Sequence, residues 1–182
     1  MKAHDLVFID TEASGLDVTK HELLEVAVIR VSQDWESGTP EFVVVDEWVT
    51  KIIPEHIETA DPASLRVNGY TVNNWKNAIP LRDALQIFSE KTKDAIMVAH
   101  NVSFDAEFID TALAKHSIPN TMHYHRLDTV SMAHAVLKDS PDTTRYSLGE
   151  LCKRFGIVNK QAHTALSDSR ATFELFKKLL AL

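Results

Sequence analysis

Runs and periods of apolar residues divide this chain into a strand-rich beginning and a helix-rich remainder. Leu6 to Ile9 is an unbroken apolar run, the pattern of a strand covered on both faces. Leu23 to Val31 and Phe42 to Val49 are rich in Val and Ile, and Ser37-Gly38-Thr39-Pro40 between them predicts a hairpin connection. Beyond these three strands a helical period takes over. Asp61-Pro62 predicts an N-cap followed by proline in the first turn, with Gly69 ending that short helix. Pro80 opens a helix to about Lys93, Ala95 to Ala99 is another short buried strand, Val102 to Lys115 a helix, and Tyr124 to Leu127 a last strand. Ser147-x-x-Glu150 predicts a capping box on a helix closed by Gly156, and the final helix runs from about Thr164 to Leu180. A meander followed by alternating strand and helix predicts an α/β domain, a mixed sheet of about five strands flanked by helices. With no internal repeat and no low-complexity stretch, residues 1–182 read as a single domain.

Against this pattern, a few carboxylates stand where apolar residues belong. Spacing alone does not find them, because the Asp-x-Glu of Asp10/Glu12 recurs at Asp34/Glu36 and Asp105/Glu107. Burial is the better criterion, since a carboxylate on an apolar face must be neutralised, hydrogen-bonded or bound to a cation. Asp10 and Glu12 close the first strand, and the two-residue period puts both on one face. Asp105 falls in the middle of the apolar half of its helix, with Phe108, Ile109 and Ala112 onward at helical spacing. Asp168 flanks the apolar stripe of the last helix, aligned with Thr172, Leu175 and Leu179, and His163 lies just ahead of it. The plain readings are a strand end turned to water for the first pair, helix-dipole stabilisation for Asp105, and a capping or exposed histidine for His163. Four acids converging over the C-terminal edge of an open sheet would instead repel severely unless divalent cations cancelled them. Oxygen donors without a Cys or His cluster suit Mg²⁺ or Mn²⁺, and a pair of such ions serves in-line displacement at phosphorus. A phosphodiester hydrolase is the leading expectation.

Composition narrows this only slightly. An apolar share of 45% and a charged share of 25% are ordinary for a globular chain. The net charge of −7 argues weakly against a protein that coats duplex nucleic acid by bulk positive charge, yet leaves open an acidic pocket that meets phosphate through metal. No apolar run approaches the roughly 20 residues of a membrane span, and the N-terminus lacks the apolar stretch of a signal peptide. With Cys152 the lone cysteine, a cytoplasmic location is expected.

Three segments taken in order, Asp10-Thr11-Glu12, His100-Asn101-Val102-Ser103-Phe104-Asp105 and His163-Thr164-Ala165-Leu166-Ser167-Asp168, resemble the DnaQ-like exonucleases of the DEDDh type. That family includes ribonuclease T and the proofreading epsilon subunit of bacterial DNA polymerase III. The likeness runs from about Ala3 to Leu180 and includes Tyr146-Ser147-Leu148-Gly149-Glu150-Leu151-Cys152, similar to the family's Ser-Leu helix before the third motif. It implies a ribonuclease H-like fold and hydrolysis of single-stranded nucleic acid, DNA more than RNA, from the 3′ end to nucleoside 5′-monophosphates. It further implies two Mg²⁺ or Mn²⁺ ions, with Asp10 bridging them, Glu12 and Asp168 completing one shell, and Asp105 holding metal directly or through water. His163 would be the general base toward the attacking water, where the sister DEDDy group has tyrosine. Asn101 is expected near substrate and Phe104 in the core. Many relatives have two threonines after the glutamate where this chain has Ala13-Ser14, so only the backbone amide at Ala13 is left to meet the terminal 3′-hydroxyl. Leu16 would wedge against the last base.

Two other readings keep the same fold: an exoribonuclease trimming RNA, told apart through the 2′-hydroxyl, and a catalytically silent nucleic-acid-binding module. A metal-dependent phosphomonoesterase is a further one. The chain stops at Leu182, directly after the last helix, without a tail resembling a polymerase-binding extension. A free-standing exonuclease or an excised domain is therefore expected, with a polymerase partner possible but unsupported.

Overall fold

In the computed structural model, which describes all 182 residues, strand β1 (Leu6–Ala13) is the hub of a five-stranded sheet of order β3-β2-β1-β4-β5. It pairs antiparallel with β2 (Leu23–Asp34) and parallel with β4 (Ile96–Ala99). On the outer sides lie β3 (Glu41–Lys51), antiparallel to β2, and β5 (Arg126–Asp128), parallel to β4. The mixed sheet expected from the sequence is thus present, with a parallel half whose strands are joined through helices.

Six helices accompany the sheet, of which α2, α3 and α6 pack on it: α1 (Pro62–Val67), α2 (Leu81–Lys91), α3 (Val102–Lys115), α4 (Thr129–Leu137), α5 (Leu148–Phe155) and α6 (Ala165–Leu180). Alternation along β1 sends its side chains to two separate cores. Val7, Ile9 and Ala13 pack with Phe88 of α2 and Phe108 and Ile109 of α3. Leu6 and Phe8 pack on the other face against α6, where the Phe8 ring lies 4.8 Å from Phe173 and 5.3 Å from Phe176. Both faces are dry, which is why the strand reads as a continuous apolar run. A third cluster, with Leu137, Leu151, Leu175 and Leu179, clamps α4 and α5 onto α6.

Pairing of β1 is lopsided. Its ladder with β4 extends only from Leu6↔Ile96 to Phe8↔Val98, whereas that with β2 continues to Ala13↔Leu23. The last residues of β1 overhang the C-terminal edge of the parallel half, the place where open α/β sheets carry their sites.

Several expectations need correction. The plain reading of a first strand that ends in water at Asp10 and Glu12 does not hold: β1 runs through both to Ala13, with the two on one face as the period of two predicts. The last strand is Arg126–Asp128 rather than Tyr124–Leu127. Helix α4 was not foreseen; it starts because the Asp128 carboxylate accepts from the amides of Val130 and Ser131 as an N-cap. At Ser147 the helix begins as expected and Gly156 ends it at φ +66°, but the Ser147 side chain makes no capping hydrogen bond. No helix is long and apolar enough to cross a membrane.

Candidate active site

Even-numbered residues of β1 face α6, so Asp10 and Glu12 follow Leu6 and Phe8 onto that side. Asp168 meets them from the first turns of α6, where the exposed amides and the dipole favour an acid. One oxygen from each of Asp10, Glu12 and Asp168 lies within 4.8 Å of the others. Asp168 is held from behind: its Oδ1 accepts from the Asn159 side-chain amide and its Oδ2 from the His163 backbone amide at 3.0 Å.

Asp105 arrives from the opposite face of the sheet. Only 3% exposed, it sits on α3, and one of its oxygens accepts both the amide (2.9 Å) and the hydroxyl (2.8 Å) of Thr11. Thr11 is the odd-numbered residue between Asp10 and Glu12, so Asp105 reaches the strand from the α3 side while its charge is the leading one acting on Asp10. The structure brings Asp10, Glu12 and Asp168 together; Asp105 stands outside that trio, near enough for its charge to act on Asp10 and Glu12.

A fifth acid was not singled out from the sequence. Glu25, on β2 directly across from Glu12, is 7% exposed and accepts the Ala165 amide at the start of α6 at 3.3 Å. Thr164, the N-cap residue, turns its hydroxyl to the Gln161 carbonyl instead, so Glu25 caps α6 from the sheet. The signal was available: Glu25 interrupts an otherwise apolar run between Leu24 and Val26.

Burial raises Glu12, Asp10, Asp105 and Glu25 alike, and neighbouring negative charge adds to it at Glu12 and Asp10. Burial, then the charges of Asp168, Glu25 and Asp105, push the Glu12 carboxyl up to about 8. Burial, followed by the Asp105 and Asp168 charges, holds Asp10 well above the ordinary carboxylate range. Asp105 is raised by burial to about 7 in spite of the two Thr11 hydrogen bonds that favour its ionised form. Burial also raises Glu25, against the Ala165 amide and the more distant Lys51. None of the five acids forms a salt bridge with Lys or Arg. Hard oxygen donors, crowded, desolvated and without a protein cation, are a donor set that fits divalent metal ions.

Beside the trio opens a cavity of about 360 Å³, its lining including Thr11, Glu12, Ala13, Leu16, Val67 and Phe104. Leu16 is 77% exposed. The turn presenting it needs Gly15, because a Cβ there would come within 2.4 Å of the His21 ring, which in turn accepts the Asp17 amide at 2.9 Å. Ala13 is buried, its carbonyl accepting from Asn68 at 3.2 Å. Phe104 is half-buried, packed on the core and 5.0 Å from Phe108, so it lines the cavity as well as filling the core. Asn101, at φ +68° ahead of α3, lies outside this lining; its amide donates to Asp128 at 2.9 Å and its side chain accepts from Ser103 at 3.2 Å. His163 is exposed, at φ +67°, tied to the trio by its backbone rather than its ring.

A five-stranded mixed sheet flanked by helices, with acids gathered where its central strand overhangs, has the ribonuclease H-like architecture of exonuclease I. The chain belongs to the exonuclease family, a DnaQ-like 3′–5′ exonuclease group whose RNase T model matches residues 7–176. It is 33% identical over 169 residues to the PolC-type DNA polymerase III of Streptococcus pneumoniae, covering 93% of this chain and 11% of that polymerase. The Streptococcus thermophilus counterpart is 31% identical over 175 residues, again 11% of its length. The chain therefore spans a small fraction of the curated relatives it matches. Among solved structures, Escherichia coli exonuclease I in complex with a dT13 oligonucleotide superposes with TM-score 0.80 at 17% identity, over 97% of this chain and 41% of that one. A zinc-bound form of the E. coli exonuclease I–single-stranded DNA complex superposes with TM-score 0.79 at 19% identity, over 96% and 40%.

Proposed function

We propose that this domain removes nucleoside 5′-monophosphates from the 3′ end of single-stranded nucleic acid, DNA in preference to RNA, with two Mg²⁺ or Mn²⁺ ions. The observation that carries this reading is the convergence of Asp10, Glu12 and Asp168 within 4.8 Å, next to a cavity with an apolar wall. The polymerase relatives and the oligonucleotide-bound neighbours support DNA as the substrate.

Asp10, Glu12 and Asp168 would hold the ions, with Asp105 contributing directly or through water. Bound there, the ions would offset the carboxylate charge and stabilise the oxygens that gain charge as phosphorus is displaced in line. Leu16 and Phe104 receive the terminal base on their apolar surfaces, and the Ala13 amide meets the terminal 3′-hydroxyl. Asn101, near the substrate, helps to seat the strand. His163 takes the proton of the attacking water, a task that requires a neutral imidazole. Its exposure leaves the ring free to turn toward the trio while its amide stays anchored on Asp168.

The test is a time course on matched DNA and RNA single strands labelled at the 5′ end, with Mg²⁺, with Mn²⁺ and with EDTA. A ladder shortening from the 3′ end, faster on DNA and abolished by EDTA, is expected. Faster shortening of RNA would make the domain an exoribonuclease; no shortening with either metal would leave a binding module.

A further inference from the structure

The segment between α5 and α6 contributes a side chain that no motif marks. Asn159 is half-buried, and its amide group donates to Asp168 Oδ1 while its carbonyl oxygen accepts the Ser167 hydroxyl at 2.6 Å. The carboxylate settles the orientation of the amide. An ionised carboxylate only accepts, so the NH₂ faces it, and the amide carbonyl is left to accept the Ser167 hydroxyl. The other Asp168 oxygen is taken by the His163 amide from the same segment. Each oxygen thus receives one hydrogen bond and keeps a second lone pair for a cation on the Asp10 and Glu12 side.

The chemical type of the partner matters. A lysine or arginine at this place would fix Asp168 equally well but would compete with a metal by cancelling its charge. A neutral amide orients the carboxylate and leaves that charge intact for a cation, the part played by partners lying behind metal ligands in general. Because Asn159 and His163 belong to one nine-residue connection from Gly156 to Thr164, the contact also fixes where the segment bearing His163 meets the trio.

We infer that Asn159 is a positioning residue that sets the metal-ready orientation of Asp168, with Ser167 fixing its amide. The inference rests on the metal-binding reading of the trio, and the experiment separates the two. Mn²⁺ binding is measured calorimetrically for the wild-type protein, Asp168→Asn, Asn159→Ala and Asn159→Leu, the last keeping the side-chain volume without a donor. Folding is checked by thermal melts in EDTA. Both Asn159 variants are expected to melt near the wild-type temperature and to bind Mn²⁺ about tenfold or more weakly, in the range for such partners. Ser167→Ala should weaken binding less. Turnover of the Asn159 variants should recover at saturating Mn²⁺, a behaviour that general loosening of the loop would not give. If either Asn159 variant, folded in EDTA, binds Mn²⁺ as the wild type does while Asp168→Asn does not, the inference is overturned and the metal site stands. If the wild-type protein itself binds no Mn²⁺, both are overturned.

Discussion

Thr11 grips a single oxygen of Asp105 with both of its donors, the amide at 2.9 Å and the hydroxyl at 2.8 Å, across the strand from the carboxylates of Asp10 and Glu12. The pair links the two faces of the sheet at the site. Thr11→Val keeps the shape of the side chain and removes one of two hydrogen bonds that favour ionised Asp105, so its carboxyl should rise above about 7. Metal affinity near pH 7 should fall several-fold and return toward the wild-type value by pH 9, read by Mn²⁺ titration at both pH values. Equal affinity at pH 7 would mean that Asp105 acts apart from the metals.

Without metal, the protein should lose stability as the solution becomes more alkaline. The Glu12 carboxyl, ordinarily near 4.5, is pushed up to about 8 by burial and by neighbouring charge, and Asp10, Asp105 and Glu25 shift the same way. Between those limits the folded state binds more protons than the unfolded one, so stability is complete below the unfolded values and is lost as pH climbs through the folded ones. Melting temperature in EDTA is expected to drop from pH 5 to pH 9. Millimolar Mg²⁺ or Mn²⁺ should restore most of the loss at pH 8 and little at pH 5.

Asp10→Ala removes a member of the trio that burial and repulsion hold well above the ordinary carboxylate range. Turnover should vanish, while the metal-free melting temperature stays level or rises, because the crowding of the remaining acids is relieved. A variant as active as the wild type would remove Asp10 from the chemistry.

His163 adopts φ +67°, a conformation that asparagine tolerates well, so His163→Asn changes the ring with little disturbance of the loop. Turnover should fall by about two or more orders of magnitude. Mn²⁺ affinity should be nearly kept, since it is the backbone amide of this residue that touches Asp168. Loss of metal binding on the same scale as turnover would make the ring a ligand.

Leu16 projects into solvent from a turn that the contact of Gly15 with His21 keeps tight. Truncating so exposed a side chain should leave the melting temperature within about 2 °C. Leu16→Ala is nonetheless expected to raise KM for a single strand several-fold with little change in kcat, as removal of a base-contacting surface would. An unchanged KM would assign the residue to the turn alone.

Much of this arrangement was legible because it violates the hydrophobic pattern. Asp105 among Phe108, Ile109 and Ala112, and Asp168 beside a helical stripe, declare themselves on an amphipathic wheel, and the period of two places Asp10 with Glu12. That Asp105 approaches from the α3 side and Asp168 from the α6 side was not legible, since periodicity gives the face of each element but not which face of the sheet α3 and α6 cover. Glu25 escaped because the Val- and Ile-rich run around it reads as a strand in any case; the burial argument applied to that run would have found it. Asn159 lies in a connection without a period, where position comes only from tertiary contacts. Helix α4 is short and rests on an Asp128 N-cap that doubles as acceptor for the amides of Asn101 and Val102.

Past Phe8, β1 has a ladder partner on one side only. On the other side the buried Thr11 amide is taken by the Asp105 carboxylate, so a side chain closes a margin that would otherwise invite the backbone of another molecule to dock. Asp105 thus also guards the edge of its neighbouring strand. An inactive form made for trapping substrate is best obtained by exchanging Asp10 or Glu12 rather than Asp105, because removing the Asp105 carboxylate would free the Thr11 amide and favour self-association.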